Sequence, residues 1–309
     1  MDFAKLLNAL PGAASQGVIW GMMAIGVYIT YRILDVADLT VDGSMATGGA
    51  VAAVLITQGV NPWLAVLCAF LVGMLTGLLT GLFHTAMGIP AILAGILTQL
   101  ALYSVNLRIM DGKANMAVNV NKYWVLVSSR NVRVLSLQNP ICLTLLLTVI
   151  LIALLYLFFG TEYGNALRAT GANQNMARAQ GINTSRAKVV GLMLSNGIVA
   201  FSGAMLTQYQ GFADVQMGRG AIVIGLAAVI IGEVVLGKFF RSLWGKLLCV
   251  SVGAIIYYFV MQIVLWLGLN TNDLKMLTAL VVAIFLAVPY WKGLAMTRRA
   301  GRGKEEKHA

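Results

Sequence analysis

Residues 161–189 read "TEYGNALRATGANQNMARAQGINTSRAKV" and lie between two long apolar runs that they do not resemble. Ala166, Ala169, Ala172, Ala177 and Ala179 give the stretch a slim surface, while Arg168, Asn173, Gln174 and Arg178 offer polar contacts. The alanine content predicts two short helices joined near Gly171, with a second break at Gly181. A short helix presented for docking into another protein's groove needs that design. A loop that merely rests on a membrane surface is the competing reading.

Outward from this stretch the chain turns apolar. Hydrophobic residues make up 59% of the 309 and charged residues 11%, with a mean hydropathy of +0.83. Soluble domains carry roughly 25% charged residues, so this composition cannot cover a water-facing surface. Runs near 14–34, 43–60, 62–84, 89–108, 140–160, 187–209, 219–237, 243–268 and 274–291 have about the length that crosses a ~30 Å bilayer core. The fold class is therefore all-α: a polytopic transmembrane helical bundle of about 8–10 spans. Segments 43–60 and 219–237 are short and carry glycine, which suits broken or re-entrant helices, one of them near 35–49. Pro62, Pro90 and Pro140 each open a run, where the missing N–H costs little.

Three regions follow along the chain: a weakly amphipathic segment 1–13, a transmembrane region 14–291, and a basic tail 292–309. Positive charge gathers at 161–188, 238–246 and the tail, so these are assigned to the cytoplasm, C-terminus included. The loop 109–139 then faces outward, although it holds Lys113, Lys122, Arg130 and Arg133. The formal net charge of +11 is explained by such loops, and nucleic acid is not expected as a partner. Membrane lipid is.

Enzyme signals are weak. "GEVVLGKF", residues 232–239, nearly matches a phosphate-binding loop, but Phe239 replaces the hydroxyl residue that would hold Mg²⁺. No strand precedes it, so it reads as a chance match at a helix end. Cys68, Cys142 and Cys249 are far apart and show no metal-ligand spacing, and histidine occurs twice. No catalytic residue and no metal site is expected. "GMLTGLLTGLF", residues 73–83, puts Gly73, Gly77 and Gly81 on one helix face, which predicts a tight contact within the chain.

The segment 161–183 resembles the cytoplasmic loop of ABC-importer permeases of the group serving branched-chain amino acids, ribose and related solutes. The matching residues are Thr161, Gly164, Arg168, Ala169, Gly171, Asn173, Ala177, Gly181, Ile182 and Asn183, with Met176 and Arg178 flanking Ala177 where the group often has two small residues. "VGLMLSNGIVAFSGAML" resembles the group's next helix through Ser202, Gly203 and Ala204. "AAVIIGEVVLGKFFRSLWGKLL" resembles a later glycine-bearing segment through Gly232, Gly237 and Gly245, with Glu233 where a second glycine is common. "ADLTVDGSMATGGAVAA" is similar to a segment of the sugar-type members through Asp38, Leu39, Thr40, Val41, Gly43 and Ser44, with Asp42 inserted.

The resemblance implies a transport subunit rather than an enzyme, with no cofactor on this chain and ATP and Mg on a separate ATP-binding subunit. It implies an extracytoplasmic solute-binding protein and a second permease copy, most simply a homodimer, in a bacterial inner membrane. It also implies that Gly164, Arg168, Ala169, Gly171, Asn173, Ala177, Arg178, Gly181 and Ile182 form the loop that couples to the ATPase. An amino acid, branched-chain or aromatic, is the first expectation for the solute; a sugar or nucleoside is the second. A stand-alone gradient-driven transporter is the rival from another class, and it would more often show charges deep in its helices.

Asp35, Asp38 and Asp42 fall within one turn-rich stretch of a chain that has eleven acidic residues. Three readings are open. Asp42, with Thr40 or Ser44, caps the helix that follows it; or Asp38, Thr40, Asp42, Gly43 and Ser44 form a break that lines the pathway; or Arg32 pairs with Asp35 at the cytoplasmic interface. Thr98, Gln99, Asn106, Asn196 and Gln208 are uncharged polar candidates for the pathway. Interhelical hydrogen bonding is the alternative use for them.

Overall fold

The computed structural model describes residues 3–133, 139–237, 240 and 242–266, together with 276, 279–280, 282–285 and 287. The basic tail 292–309, most of the apolar run 274–291 and part of the basic segment 238–246 lie outside the described residues.

Ten α-helices are described: α1 Phe3–Tyr28, α2 Val41–Thr57, α3 Pro62–Thr85, α4 Ala91–Ile109, α5 Pro140–Gly160, α6 Glu162–Ala172, α7 Gln174–Ala179, α8 Thr184–Gln210, α9 Ala221–Leu236 and α10 Leu243–Trp266. Among the described residues six are long and apolar enough to cross a membrane, and α2 and α9 are shorter apolar helices. At 1.5 Å per residue those two reach only about 25 Å. Each is preceded by non-helical chain, residues 34–40 before α2 and 211–220 before α9. The first break is narrower than the expected 35–49, because helix resumes at Val41. The helix α1 runs unbroken through Pro11, and a π turn, Ile29–Ile33, extends it to the break.

Two helices form the centre. Most of the spanning window of α1 and of α8 is buried, whereas α4 and α5 keep most of theirs on the outside. The sequence of α8 explains its place: Gly191, Ser195, Gly197, Ser202, Gly203 and Ala204 let other backbones approach it closely. A methyl group at Gly203 would run into the Met45 carbonyl of α2, and one at Gly48 of α2 into the Ala200 carbonyl of α8. Ser195 and Ser202 donate to the Gly26 and Ile19 carbonyls of α1, each at 2.7 Å. The glycine face of α3 packs inside the chain as expected, Gly73 and Gly77 against the α8 backbone at Asn196 and Leu192. Leu64, Leu67, Leu71, Leu75, Leu79 and Leu82 occupy the opposite, exposed face of α3, the pattern that lipid rewards.

Helix starts follow local chemistry. Asn61 and Asn139 accept the Trp63 and Ile141 N–H groups at 3.0 Å, each just before the proline that opens α3 and α5. The segment 109–139 adds one feature that hydropathy does not reveal. Strand β1 Asn115–Ala117 pairs antiparallel with β2 Phe212–Asp214, tying this segment to the end of α8. Gln208 on α8 holds the same segment by accepting the Leu126 N–H at 2.9 Å.

Candidate functional site

The two breaks meet. The Asp42 carboxylate accepts the Gly220 N–H at 2.8 Å through one oxygen and the Ile222 N–H at 3.0 Å through the other. It therefore caps α9, whose N-cap residue is Gly220 in the left-handed conformation. The expectation that Asp42 caps its own following helix is corrected here: Asp42 lies within the first turn of α2 and spends its lone pairs on α9. One negative charge faces two helix N-termini, each equivalent to about half a positive charge.

Asp38 takes the local role instead. It is 3% exposed, and its Oδ1 accepts the Thr40 N–H at 2.9 Å just ahead of α2. Its Oδ2 accepts from Asn196 Nδ2 at 2.7 Å. Ser44 donates to Asn196 Oδ1 at 2.6 Å and lies 2.7 Å from the Thr76 hydroxyl. Thr40, Thr80 and Thr98 continue the network, with hydroxyl separations of 2.7 and 2.9 Å. Thr98 in turn donates to the Ala94 carbonyl at 3.0 Å. The Thr80 hydroxyl also lies 3.3 Å from the Thr76 carbonyl. The sequence candidates Asp38, Thr40, Ser44, Thr98 and Asn196 thus come together, all buried, as a belt joining the break to α3, α4 and α8. Gly43 lets α2 sit against the Gln99 backbone of α4.

Gln99 lies elsewhere. With Tyr103 and Asn106 it follows the i, i+4, i+7 spacing of one helix face, and all three line a cleft of about 150 Å³ beside Asp42, Gln216 and Arg219. Asn106 is 1% exposed, and neither atom of its amide has a hydrogen-bond partner among the described residues.

Arg32 does not pair with Asp35. Its Nε donates to Glu233 Oε1 at 2.9 Å and its Nη2 to Oε2 at 3.0 Å, a bidentate pair near the end of α9. The acidic residue where a glycine is common therefore has a partner. Asp35 is exposed and holds φ of 54°, the left-handed turn that ends the π segment. Residues 232–236 of the near phosphate-loop match are helical, with Gly232 pressed on the Cys249 carbonyl of α10.

The segment 161–183 folds as two short helices, but the joint is at Asn173 rather than Gly171. Thr161 caps α6, Asn173 caps α7 and Asn183 caps α8, each through its side-chain oxygen. Gly164 has no room for a side chain against Phe158 and Phe159, and Gly171 packs on the Ile33 carbonyl. Gly181, with φ of 81°, makes the turn after α7, and the Ile182 N–H returns to the Ala177 carbonyl at 3.0 Å. Arg178 Nε donates to Thr184 Oγ1 at 2.9 Å, fixing α7 to α8. Ala177 is buried, Ala169 half-buried, and Arg168, Tyr163 and Met176 stand on the outer surface.

A family model described as the branched-chain amino acid transport system permease component matches residues 10–288. A tyrosine transport system permease protein of Clostridioides difficile (strain R20291) is 39% identical over 281 residues, covering 91% of this chain and 91% of that protein. A fructose import permease protein of Bifidobacterium longum (strain NCC 2705) is 27% identical over 266 residues, covering 85% and 72%. A ribose import permease protein of Escherichia coli (strain K12) is 24% identical over 288 residues, covering 91% and 85%. No solved structure matches the chain.

Proposed function

This chain belongs to the family of branched-chain amino acid transport system permease components, and from that premise we propose that it forms the membrane pathway of an ATP-driven importer for an amino acid, branched-chain or aromatic. It is a multi-pass membrane protein of the bacterial inner-membrane type, and its relatives are permeases rather than enzymes. ATP and Mg belong to a separate ATP-binding subunit, and an extracytoplasmic binding protein delivers the solute. A second copy of the permease completes the pathway, with the basic C-terminal tail in the cytoplasm.

The observation that carries the coupling role is the contact between Gly171 and Ile33. The α6–α7 pair offers Tyr163, Arg168 and Met176 outward, while its inner side rests on the turn that ends α1. Closure of the ATP-binding subunits pushes α6, and α6 passes the displacement through Ile33 to the break at 34–40. Helix α2 starts there, so the push reaches the Asp38–Asn196 belt and Asp42 at the head of α9. Both broken helices then move together. The coupling residues Gly164, Arg168, Ala169, Gly171, Asn173, Ala177, Arg178, Gly181 and Ile182 divide into those that shape the pair and those that face a partner.

The amino-acid reading draws on the tyrosine relative's higher identity over nearly the whole chain. The relatives named for fructose and ribose support a sugar as the second reading. Co-purification with a candidate ATPase and a candidate binding protein tests the proposal. Solute-loaded binding protein is expected to raise ATP hydrolysis by the reconstituted complex. Hydrolysis that ignores the loaded binding protein, or uptake without ATP, overturns it.

A further inference from the structure

We propose that the cleft between α2, α4 and the turn leading into α9 is a station that holds the α-carboxylate end of an amino acid during passage. A buried amide is ordinarily hydrogen-bonded at both ends, yet Asn106 is 1% exposed and neither its Nδ2 nor its Oδ1 has a partner among the described residues. It lines the cleft, with Tyr103 and Gln99 on the same helix face and Gln216 and Arg219 across from it. The cleft is therefore lined by a buried amide whose donor and acceptor are unspent among the described residues, and by an exposed guanidinium.

Charge decides which solute end fits. Two helix N-termini contribute about half a positive charge each, and Asp42 offsets them by bonding α9 directly. Arg219 is exposed and spends one N–H on Gln216 Oε1 at 3.3 Å. Among the described residues that line the cleft Arg219 is the one cation, and its forked guanidinium matches a carboxylate in charge and in shape. The Asn106 Oδ1 can accept from the ammonium next to that carboxylate. A neutral sugar uses none of this charge. The volume of about 150 Å³ is well below the ~300 Å³ at which pockets begin to enclose a whole ligand. The cleft therefore grips a head group and leaves the solute's side chain outside, as a station that must also release its cargo requires.

This inference rests on the amino-acid permease reading above. Saturation-transfer NMR on the purified full-length chain in lipid nanodiscs tests it, with L-tyrosine, L-leucine, L-tyrosinamide and D-ribose as probes. The two amino acids are expected to bind, and tyrosinamide and ribose are not. Arg219→Gln and Asn106→Leu are each expected to weaken amino-acid binding roughly tenfold, the worth of one charge-assisted hydrogen bond. Asn106→Leu is also expected to raise the unfolding temperature, since it removes a buried amide that bonds nothing among the described residues. Binding unchanged in Arg219→Gln, or tyrosinamide binding as well as tyrosine, overturns the proposal. A lower unfolding temperature in Asn106→Leu overturns the role given to that amide, while Arg219→Gln at the exposed rim still reads the carboxylate. A parent chain that binds neither amino acid yet supports ATP-driven amino-acid uptake removes the station and leaves the importer reading standing; binding by the parent without such uptake does the reverse.

Discussion

Asp42 and Gly220 are 178 residues apart in sequence, and the Asp42 carboxylate accepts the Gly220 N–H at 2.8 Å. This bond joins the start of one broken helix to the start of another. Asp42→Ala leaves the Gly220 and Ile222 N–H groups without an acceptor and is expected to cost about 1–2 kcal/mol. Asp42→Asn keeps one acceptor oxygen and costs less. Thermal unfolding of the purified protein in one detergent ranks the three, and equal midpoints for Ala and parent would contradict the cap.

Asn196 is the hub of the buried belt, holding Asp38 through its Nδ2 and Ser44 through its Oδ1. Asn196→Leu strips a buried carboxylate of a donor and is expected to cost about 2 kcal/mol. The double variant Asp38→Asn with Asn196→Leu removes the charge as well. It should lose less than the sum of the two single changes, which a double-mutant cycle on unfolding midpoints measures.

The Arg32–Glu233 pair is bidentate, but its side chains are 54% and 29% exposed. Such a pair is worth about 0.2–1 kcal/mol. Reversing both charges is expected to restore most of what either single reversal loses. Arg32→Lys, which lacks the planar fork, should recover little of the bidentate geometry. Unfolding midpoints at low and high salt provide the readout, and salt should shrink the coupling.

Gly77 and Leu79 sit two residues apart on opposite sides of α3. Gly77 presses on the Leu192 carbonyl of α8, whereas Leu79 is 47% exposed. Gly77→Leu forces the helices apart and is expected to destabilise by ~3 kcal/mol. Leu79→Ala, which changes a side chain facing away from the bundle, should stay within about 0.5 kcal/mol. Comparable losses in the two variants would mean that α3 packs by the other face.

Much of this architecture was legible in advance, for physical reasons that differ by element. Long apolar runs announce spans because the bilayer sets their length, and Pro62 and Pro140 mark helix starts because only there is a missing N–H harmless. The glycine row of α3 signalled a close helix contact because spacing of four keeps one face. Distance in sequence limited the rest. Asp42 has the chemistry of a cap, and local spacing offers α2 as its target; that it serves α9 instead depends on a chain reversal 180 residues away. Arg32 found Glu233 rather than Asp35 for the same reason. Gly171 suggested a joint because glycine breaks helices, yet its smallness serves contact with Ile33, and Asn173 makes the joint. Strands β1 and β2 have three residues each, too few for alternation to show. Asn106 was visible as a polar residue in an apolar run, but the lack of a partner for its amide among the described residues was not.

The proposed coupling path runs from helices α6 and α7 through Gly171 to the end of α1. The most direct measurement reconstitutes the permease with its ATPase and binding protein in proteoliposomes, then records ATP hydrolysis and amino-acid uptake for the parent and for Gly171→Ala. The added methyl collides with the Ile33 carbonyl and separates α6 from the break while leaving the outer face of α6–α7 unchanged. Co-purification of the ATPase is expected to persist, and uptake per ATP hydrolysed is expected to fall. Full uptake per ATP in Gly171→Ala, with the ATPase still bound, would contradict the link.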